Sequence, residues 1–159
     1  MTVKKNRIRM TCNLEAQLFS TTYHLKPLTK LDITKVAATM LEAYQGTVDQ
    51  HEDTLQEAIL EVEKIINDGY GPFIAKASYW IEMNDKVAAV ICINLWNEKP
   101  LITEIFTGKK FLHQGMASTL IRASMATLNR MGYDELTLNV TVENSNALHL
   151  YEKLGFVQE

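Results

Sequence analysis

Two short runs of this chain bring together residue types that can do chemistry. Gln114-Gly115-Met116-Ala117-Ser118 reads as a glycine bend opening a helix, and residues 144–156 read Asn-Ser-Asn-Ala-Leu-His-Leu-Tyr-Glu-Lys-Leu-Gly-Phe. The N–H groups in a helix's first turn have no helical partner, and with the positive end of the helix dipole they suit a phosphate. Glycine at the bend lets main chain approach a ligand with no Cβ in the way. Amides from His113, Gln114, Gly115, Met116, Ala117 and Ser118 would then cradle a pyrophosphate; plain strand-to-helix geometry is the other reading of the same residues. Neither Gly-x-x-x-x-Gly-Lys-Ser/Thr nor Gly-x-Gly-x-x-Gly occurs, so nucleoside triphosphate and dinucleotide sites have little support. In the later run Asn144 precedes a helix, where its side chain either caps the helix or faces a ligand. Ala147, Leu150, Tyr151 and Leu154 fall on one stripe, and Gly155 then Phe156 makes a helix stop with a hydrophobic lock.

The elements that must position these runs are legible from periodicity. Ile33, Val36, Ala37, Met40, Leu41 and Tyr44 predict a helix over 31–44 with Asp32 as its cap. A second helix is expected at 54–67, opened by the capping-box pair Thr54 and Glu57 and stopped by Asn67-Asp68-Gly69. Residues 73–83 and 86–96 read as strands joined by Asn84-Asp85, and the nearly unbroken apolar run from Val87 to Leu95 predicts a strand covered on both faces. Cys92 in that run reads as plain core. A strand over 101–107 follows the turn at Asn97-Glu98-Lys99-Pro100, then a helix from about Gly115 to Met131. Along 134–142, Leu136, Leu138, Val140 and Val142 point one way and Thr137, Asn139 and Thr141 the other. Two helices, a three-strand meander, a helix, a strand and a helix make an α/β layered sheet with mixed strand directions.

Composition narrows the classes. The 159 residues, 47% hydrophobic, contain no linker, repeat or low-complexity tract, and read as a single domain over 1–159. A formal charge of -3 gives no general basic field, which argues against nucleic acid. The basic stretch Lys4-Lys5-Asn6-Arg7-Ile8-Arg9 reads as a solvated strand start. No apolar run suits a secretory signal or a membrane span. Cys12 and Cys92, far apart and without metal-ligand spacing, fit reduced thiols of a cytoplasmic protein.

In Asn144, Ala147, Tyr151, Gly155 and Phe156 the chain resembles the GNAT superfamily of acyl-CoA N-acyltransferases, whose closing helix reads Asn-x-x-Ala-x-x-x-Tyr-x-x-x-Gly-Phe. The resemblance is strong over 86–157 and rests on element order alone over 25–80. It implies a mixed, mostly antiparallel central sheet flanked by helices, with acetyl-CoA as acyl donor and no metal. The family's pyrophosphate loop, Arg/Gln-x-x-Gly-x-Gly/Ala, falls on Leu112, His113, Gln114, Gly115, Met116 and Ala117, where Leu112 departs from the pattern. The resemblance further implies main-chain contacts from Ile105, Phe106 and Thr107 to the pantetheine arm, with Asn144 meeting it from the other side. Lys109, Lys110 and His113 would meet the 3′-phosphate or stay solvated.

For an amine attacking a thioester, Tyr151 is the candidate acid for the leaving thiolate, its alternative being a core aromatic. Glu104, the carboxylate inside strand 101–107, is the candidate base. His149 lies off the Tyr151 face. The loop from Tyr44 to Asp53 would form the acceptor pocket, with Asp49, Glu52 and Asp53 attracting a cation between Tyr44 and Trp96, or with Asp53 capping a helix and the others solvated. His51 beside Asp49 and Glu52 is too thin a set for a metal. The resemblance implies a small-molecule or peptide amine as acceptor. Where the family usually continues into another strand, this chain ends at Glu159, so either the strand-like N-terminal segment 1–24 or a second subunit, as in a homodimer, is expected to cover the bare edge. A non-catalytic CoA-binding regulatory module of the same fold is the alternative to an N-acetyltransferase, and a cofactor-free interaction domain is the third reading.

Overall fold

The computed structural model describes residues 6–159, so Lys4 and Lys5 of the basic stretch, and the start of segment 1–24, lie outside the described residues. In chain order the elements are β1 (Arg7–Asn13), β2 (His24–Pro27), α1 (Ile33–Tyr44), α2 (Leu55–Ile66), β3 (Tyr79–Met83), β4 (Lys86–Trp96), β5 (Lys99–Thr107), α3 (Met116–Arg130), β6 (Glu135–Thr141), α4 (Ser145–Lys153) and β7 (Val157–Gln158). One sheet runs β2-β3-β4-β5-β6-β1-β7. Its pairs are antiparallel except β5 with β6.

β4 is buried on both faces from Val87 to Asn94, and its side chains alternate between two cores. Val90 and Cys92 meet Val36, Met40, Val62 and Ile65 of α1 and α2. Ile91 and Ile93 meet Leu120, Ile121 and Leu128 of α3, a core that also takes Tyr151 and Phe156. Both two-residue turns of the meander are left-handed at each residue, Asn84 and Asp85 at φ 53° and 60°, Asn97 and Glu98 at 48° and 65°. That hand matches the twist of the paired strands.

Three boundaries differ from the sequence expectation. Helix α1 is capped one turn early: Thr29 Oγ1 accepts from Leu31 N, and Asp32 closes the box by accepting from Thr29 N at 2.9 Å. Asp32 is thus the far half of a cap rather than the cap itself. The α2 stop takes its left-handed residue from Asp68, φ 66°, and Gly69 N bonds back to Lys64 O. Residues 73–78 are not strand. Ala75–Ala77 form a 3-10 turn, and Ile93 N is satisfied by the Ser78 hydroxyl at 2.9 Å, so the β3 ladder begins at Tyr79.

The N-terminal segment supplies the strand beside β6. β1 pairs with it from Arg7↔Thr141 to Asn13↔Glu135, and β7 adds outside at Met10↔Gln158 and Thr11↔Val157. Met10 and Cys12 enter the α3 core, while Arg7, Arg9 and Thr11 share the opposite face with Thr137, Asn139 and Thr141. Because Met10 is only 2% exposed, Met10→Ala should cost about 2–5 kcal/mol in urea unfolding. A loss below about 0.5 kcal/mol, the size of an ordinary surface substitution, would mean that β1 is not part of the folded sheet.

Candidate active site

The site is built where two neighbouring strands part. β5 pairs with β6 only at Leu101↔Thr137 and Ile102↔Leu138, although the strands continue to Thr107 and Thr141. On its other side β5 stays paired with β4, with a register shift: Cys92 opposes Glu104 and Ile93 opposes Ile102. Thr103 is therefore an extra residue, a bulge that bends the strand and shifts its parity. Its hydroxyl bonds Cys92 O at 3.2 Å and Asn94 Oδ1 at 2.7 Å, and Asn94 Nδ2 in turn holds Ile65 O and Gly71 O. Ile102 and Ile105, three apart, thus share the α3 core, and Glu104 and Phe106 turn toward α1.

Below the parting lies a cavity of about 630 Å³, lined among others by Thr107, Leu112, His113, Gly115, Met116, Ala117, Ser118 and Asn144. Helix α3 has no side-chain cap, and its first amide with a helical partner is Thr119 N, bonded to Gly115 O. The preceding amides of the turn thus face the cavity uncapped, the arrangement an anion needs. Gly115 sits at φ 75°, and a Cβ there would meet no protein atom within 4 Å. The bend demands glycine for its left-handed backbone, not for packing. Gln114 is not in the lining; its carbonyl accepts from the Tyr23 hydroxyl, which pins the bend from the N-terminal segment. Lys109 is tied to the end of α1, its Nζ donating to Gln45 O and its amide to Glu42. Lys110 is exposed and outside the lining, whereas His113 lies within it.

A second cavity of about 1000 Å³ opens on the α1 side, and Tyr44, Asp49 and Asn144 line both. Asp49 Oδ1 accepts from Thr141 Oγ1 at 2.7 Å and Oδ2 from Asn144 Nδ2 at 3.0 Å, which latches the α1–α2 connection across the parted strands. The expected cation-attracting Asp49 is thus already engaged on both oxygens. Asn144 does double duty: its Oδ1 also accepts from Ala147 N and caps α4. Asp53 lies outside the lining and accepts from Gln50 Nε2, and Thr54, not Asp53, caps α2 through Glu57 N. Glu52 and Trp96 do line the cavity.

Glu104 faces this second cavity, half-buried, and accepts from the Tyr44 hydroxyl at 2.7 Å. The same hydroxyl reaches Ile105 O at 3.0 Å. Burial is the main cause that pushes the Glu104 carboxyl up to about 8; Glu52 and Glu61 add to it, while Tyr44 and Arg7 pull the other way. Burial also raises Glu52, with Glu61 next. Tyr151 is 7% exposed, packs edge-on against Phe156 at 5.9 Å, and its hydroxyl makes no hydrogen bond among the described residues. Burial, then the charges of Asp49 and Glu104, lift its phenol above the ordinary value. His149 is exposed. Among the described residues no group of three His, Cys, Asp or Glu side chains is placed to hold a metal ion.

Several lining residues carried no local signal. Glu61, bonded by Tyr70 at 2.5 Å, reads in sequence as the polar side of α2. Tyr44 reads as an apolar wall, and its hold on Glu104 spans sixty positions of chain. Arg7 and Arg9 reach the cavity only because β1 inserts beside β6.

An uncapped helix start and a carboxylate-lined pocket thus meet where two parallel strands part. The acetyltransferase (GNAT) family pattern matches residues 36–156, and the chain belongs to that family. It is 29% identical over 127 residues to N-alpha-acetyltransferase 30 of Dictyostelium discoideum, spanning 72% of this chain and 66% of that protein, just under two thirds of its length. It is 27% identical over 108 residues to the protein of the same name from Schizosaccharomyces pombe, 60% of this chain and 72% of the relative. The fold is similar to that of PaiA N-acetyltransferase from Thermoplasma acidophilum solved with coenzyme A, at a TM-score of 0.70 and 18% identity over 87% of this chain and 92% of that one.

The raised carboxyl has a consequence for stability. Unfolded, a glutamate titrates near its reference value of 4.5, and in the fold Glu104 titrates at about 8. Between those values the native state holds the extra proton, so this group makes stability fall as pH rises. Glu104→Gln keeps an acceptor for Tyr44 and removes the ionisation. Its Tm relative to wild type should therefore climb from about pH 4.5 to about pH 8 and level off above. A difference that stays flat over this range would mean an ordinary carboxyl.

Proposed function

We propose that this protein transfers an acetyl group from acetyl-CoA to the α-amine of a peptide or protein N-terminus, by direct attack through a tetrahedral intermediate. The observation that carries the reading is Glu104, a carboxyl at about 8 facing a carboxylate-lined cavity that adjoins the uncapped start of α3. The relatives named N-alpha-acetyltransferase 30 support the same acceptor.

Only a neutral amine is a nucleophile. An α-amine of pKa ~7.8 costs about 1 kcal/mol to deprotonate at pH 7, against about 4.6 kcal/mol for a lysine-type amine at ~10.4. A base near 8 matches the first and falls well short of the second. In the resting site the acceptor ammonium meets Glu52, Glu61 and Glu104, and its field favours the ionised form of Glu104. The ammonium proton passes to the Glu104 carboxylate, and the amine nitrogen bonds to the acyl carbon. As the carbon–sulfur bond breaks the nitrogen gives up its second proton, which balances the proton taken by the departing sulfur and leaves a neutral amide, a thiol and an intact Tyr151 phenol. Main-chain amides of the unpaired edge of β5 are the donors for the carbonyl oxygen as it gains charge. The uncapped amides of Gly115, Met116, Ala117 and Ser118 hold the donor's diphosphate, and Phe106, Thr107 and Asn144 border its arm.

Tyr151 serves the leaving sulfur. With its phenol raised, full proton transfer to a thiolate of reference pKa ~8.5 is uphill. Its contribution is a hydrogen bond that strengthens as charge builds on sulfur, the proton following as the thiol departs.

Glu104 must be ionised to accept a proton, so kcat/KM, which reports the free enzyme, should rise with pH through a limb near 8. Glu104→Gln should lose that limb and about 10²-fold or more in kcat. Retention of the limb would assign it to another group. Tyr151→Phe should lower kcat by about 10-fold or more with little change in acetyl-CoA affinity; an unchanged kcat removes Tyr151 from the chemistry. The function itself is tested by thiol release on peptides with free α-amines, lysine peptides with blocked N-termini, and polyamines. Turnover confined to the first class is expected. Coenzyme binding without turnover on any amine would favour the binding module instead.

A further inference from the structure

We propose that the N-terminal strand reads the acceptor: Arg7 and Arg9 of β1 bind an acidic side chain carried by the second or third residue of the peptide. This rests on the α-amine reading above and adds to it a preference for the residues next to the amine.

Arg9 lies opposite Asn139 and Arg7 opposite Thr141 in the antiparallel pair, so the arginines share a face with those residues. Thr141 bonds Asp49 of the α1–α2 connection, which places this face on the side of Glu104. Helix α1 packs over β4 and β5, and the neighbouring stretch of β6 and β1 forms the polar floor of the second cavity. Arg7 and Arg9 line that cavity together with Glu52, Glu61 and Glu104. Arg9 Nε is held by Asn139 Oδ1 at 3.1 Å, which orients its guanidinium. The salt bridges among the described residues engage neither arginine. One cavity thus has carboxylates on one wall and, on the floor, two guanidinium groups outside any salt bridge among the described residues, a layout complementary to a ligand with a cation and an anion.

Spacing decides which ligand. β1 is two strands from β5, so its backbone lies roughly 10 Å from that of Glu104, and the parting of β5 from β6 widens the gap. The carboxylate of a free α-amino acid sits within about 4 Å of its own amine, less than half that backbone spacing. A peptide advances about 3.3 Å per residue, so the side chain of its second or third residue covers it. A carboxylate there matches the planar fork of arginine.

The experiment compares kcat/KM by thiol release for short peptides that are identical except for Glu, Gln or Lys at position two or three. Wild type should prefer Glu over Gln by about 10-fold at low salt, the preference shrinking as ionic strength rises. The Arg7→Lys/Arg9→Lys variant should keep most of the preference, and Arg7→Glu/Arg9→Glu should invert it toward the Lys peptide, an outcome that mere loosening of β1 does not produce. Thermal unfolding and acetyl-CoA binding report whether each variant is folded, and the wild-type comparison stands whatever they show. Equal kcat/KM for the Glu and Gln peptides in wild type overturns the proposal and leaves the α-amine function intact. No release with any of the peptides overturns both.

Discussion

Beyond Ile102 the main chain of β5 keeps β4 on one side and loses β6 on the other. Everything else in the site depends on that unmade pairing. Main-chain donors and acceptors that a continuous sheet would consume stay available along one edge, and such groups cannot be left dry at no cost. A wedge results, with β5 as one wall and the end of β6 with the start of α4 as the other. The Thr103 bulge makes the wedge asymmetric. By shifting parity it sends Glu104 to the α1 side while Ile105 stays in the α3 core. Asp49 spans the opening by bonding Thr141 and Asn144, so the gap is held at a set width rather than closed or left loose.

The wedge also separates two kinds of electrostatics. On the α3 side the field comes from oriented amides at an uncapped helix start, suited to a fixed anion. On the α1 side burial, with the nearby charges of Glu52 and Glu61, raises the Glu104 carboxyl and favours its neutral form. Tyr44 stands at the boundary, bordering both cavities and holding Glu104 with its hydroxyl.

Much of the fold was legible from local pattern. The period of α1, α2 and α3, the double burial of β4, the Asn-rich turns and the Gly155–Phe156 stop each arise from residues close in sequence, and the structure has them. The strand read at 73–78 failed because Ser78 offers its hydroxyl where a ladder carbonyl would be, a substitution that apolar composition does not reveal. The glycine bend and the Tyr151 stripe were visible for the same local reasons. The features that sequence hid are long-range. Tyr44 with Glu104, Asp49 with Thr141, and the two arginines of β1 meet only through sheet topology. Arg7 to Arg9, read as a solvated strand start, open a strand that lies between β6 and β7, a placement that pairing across the whole chain decides.

On the proposed function, the unpaired edge of β5 and the uncapped start of α3 form one coenzyme-binding cleft. Backbone amide NMR during titration with coenzyme A tests it most directly. The largest shifts are expected at Gly115, Met116, Ala117 and Ser118 and at Ile105, Phe106 and Thr107, with smaller ones at Asn144. Saturable binding that leaves these amides unmoved and perturbs another surface would contradict it.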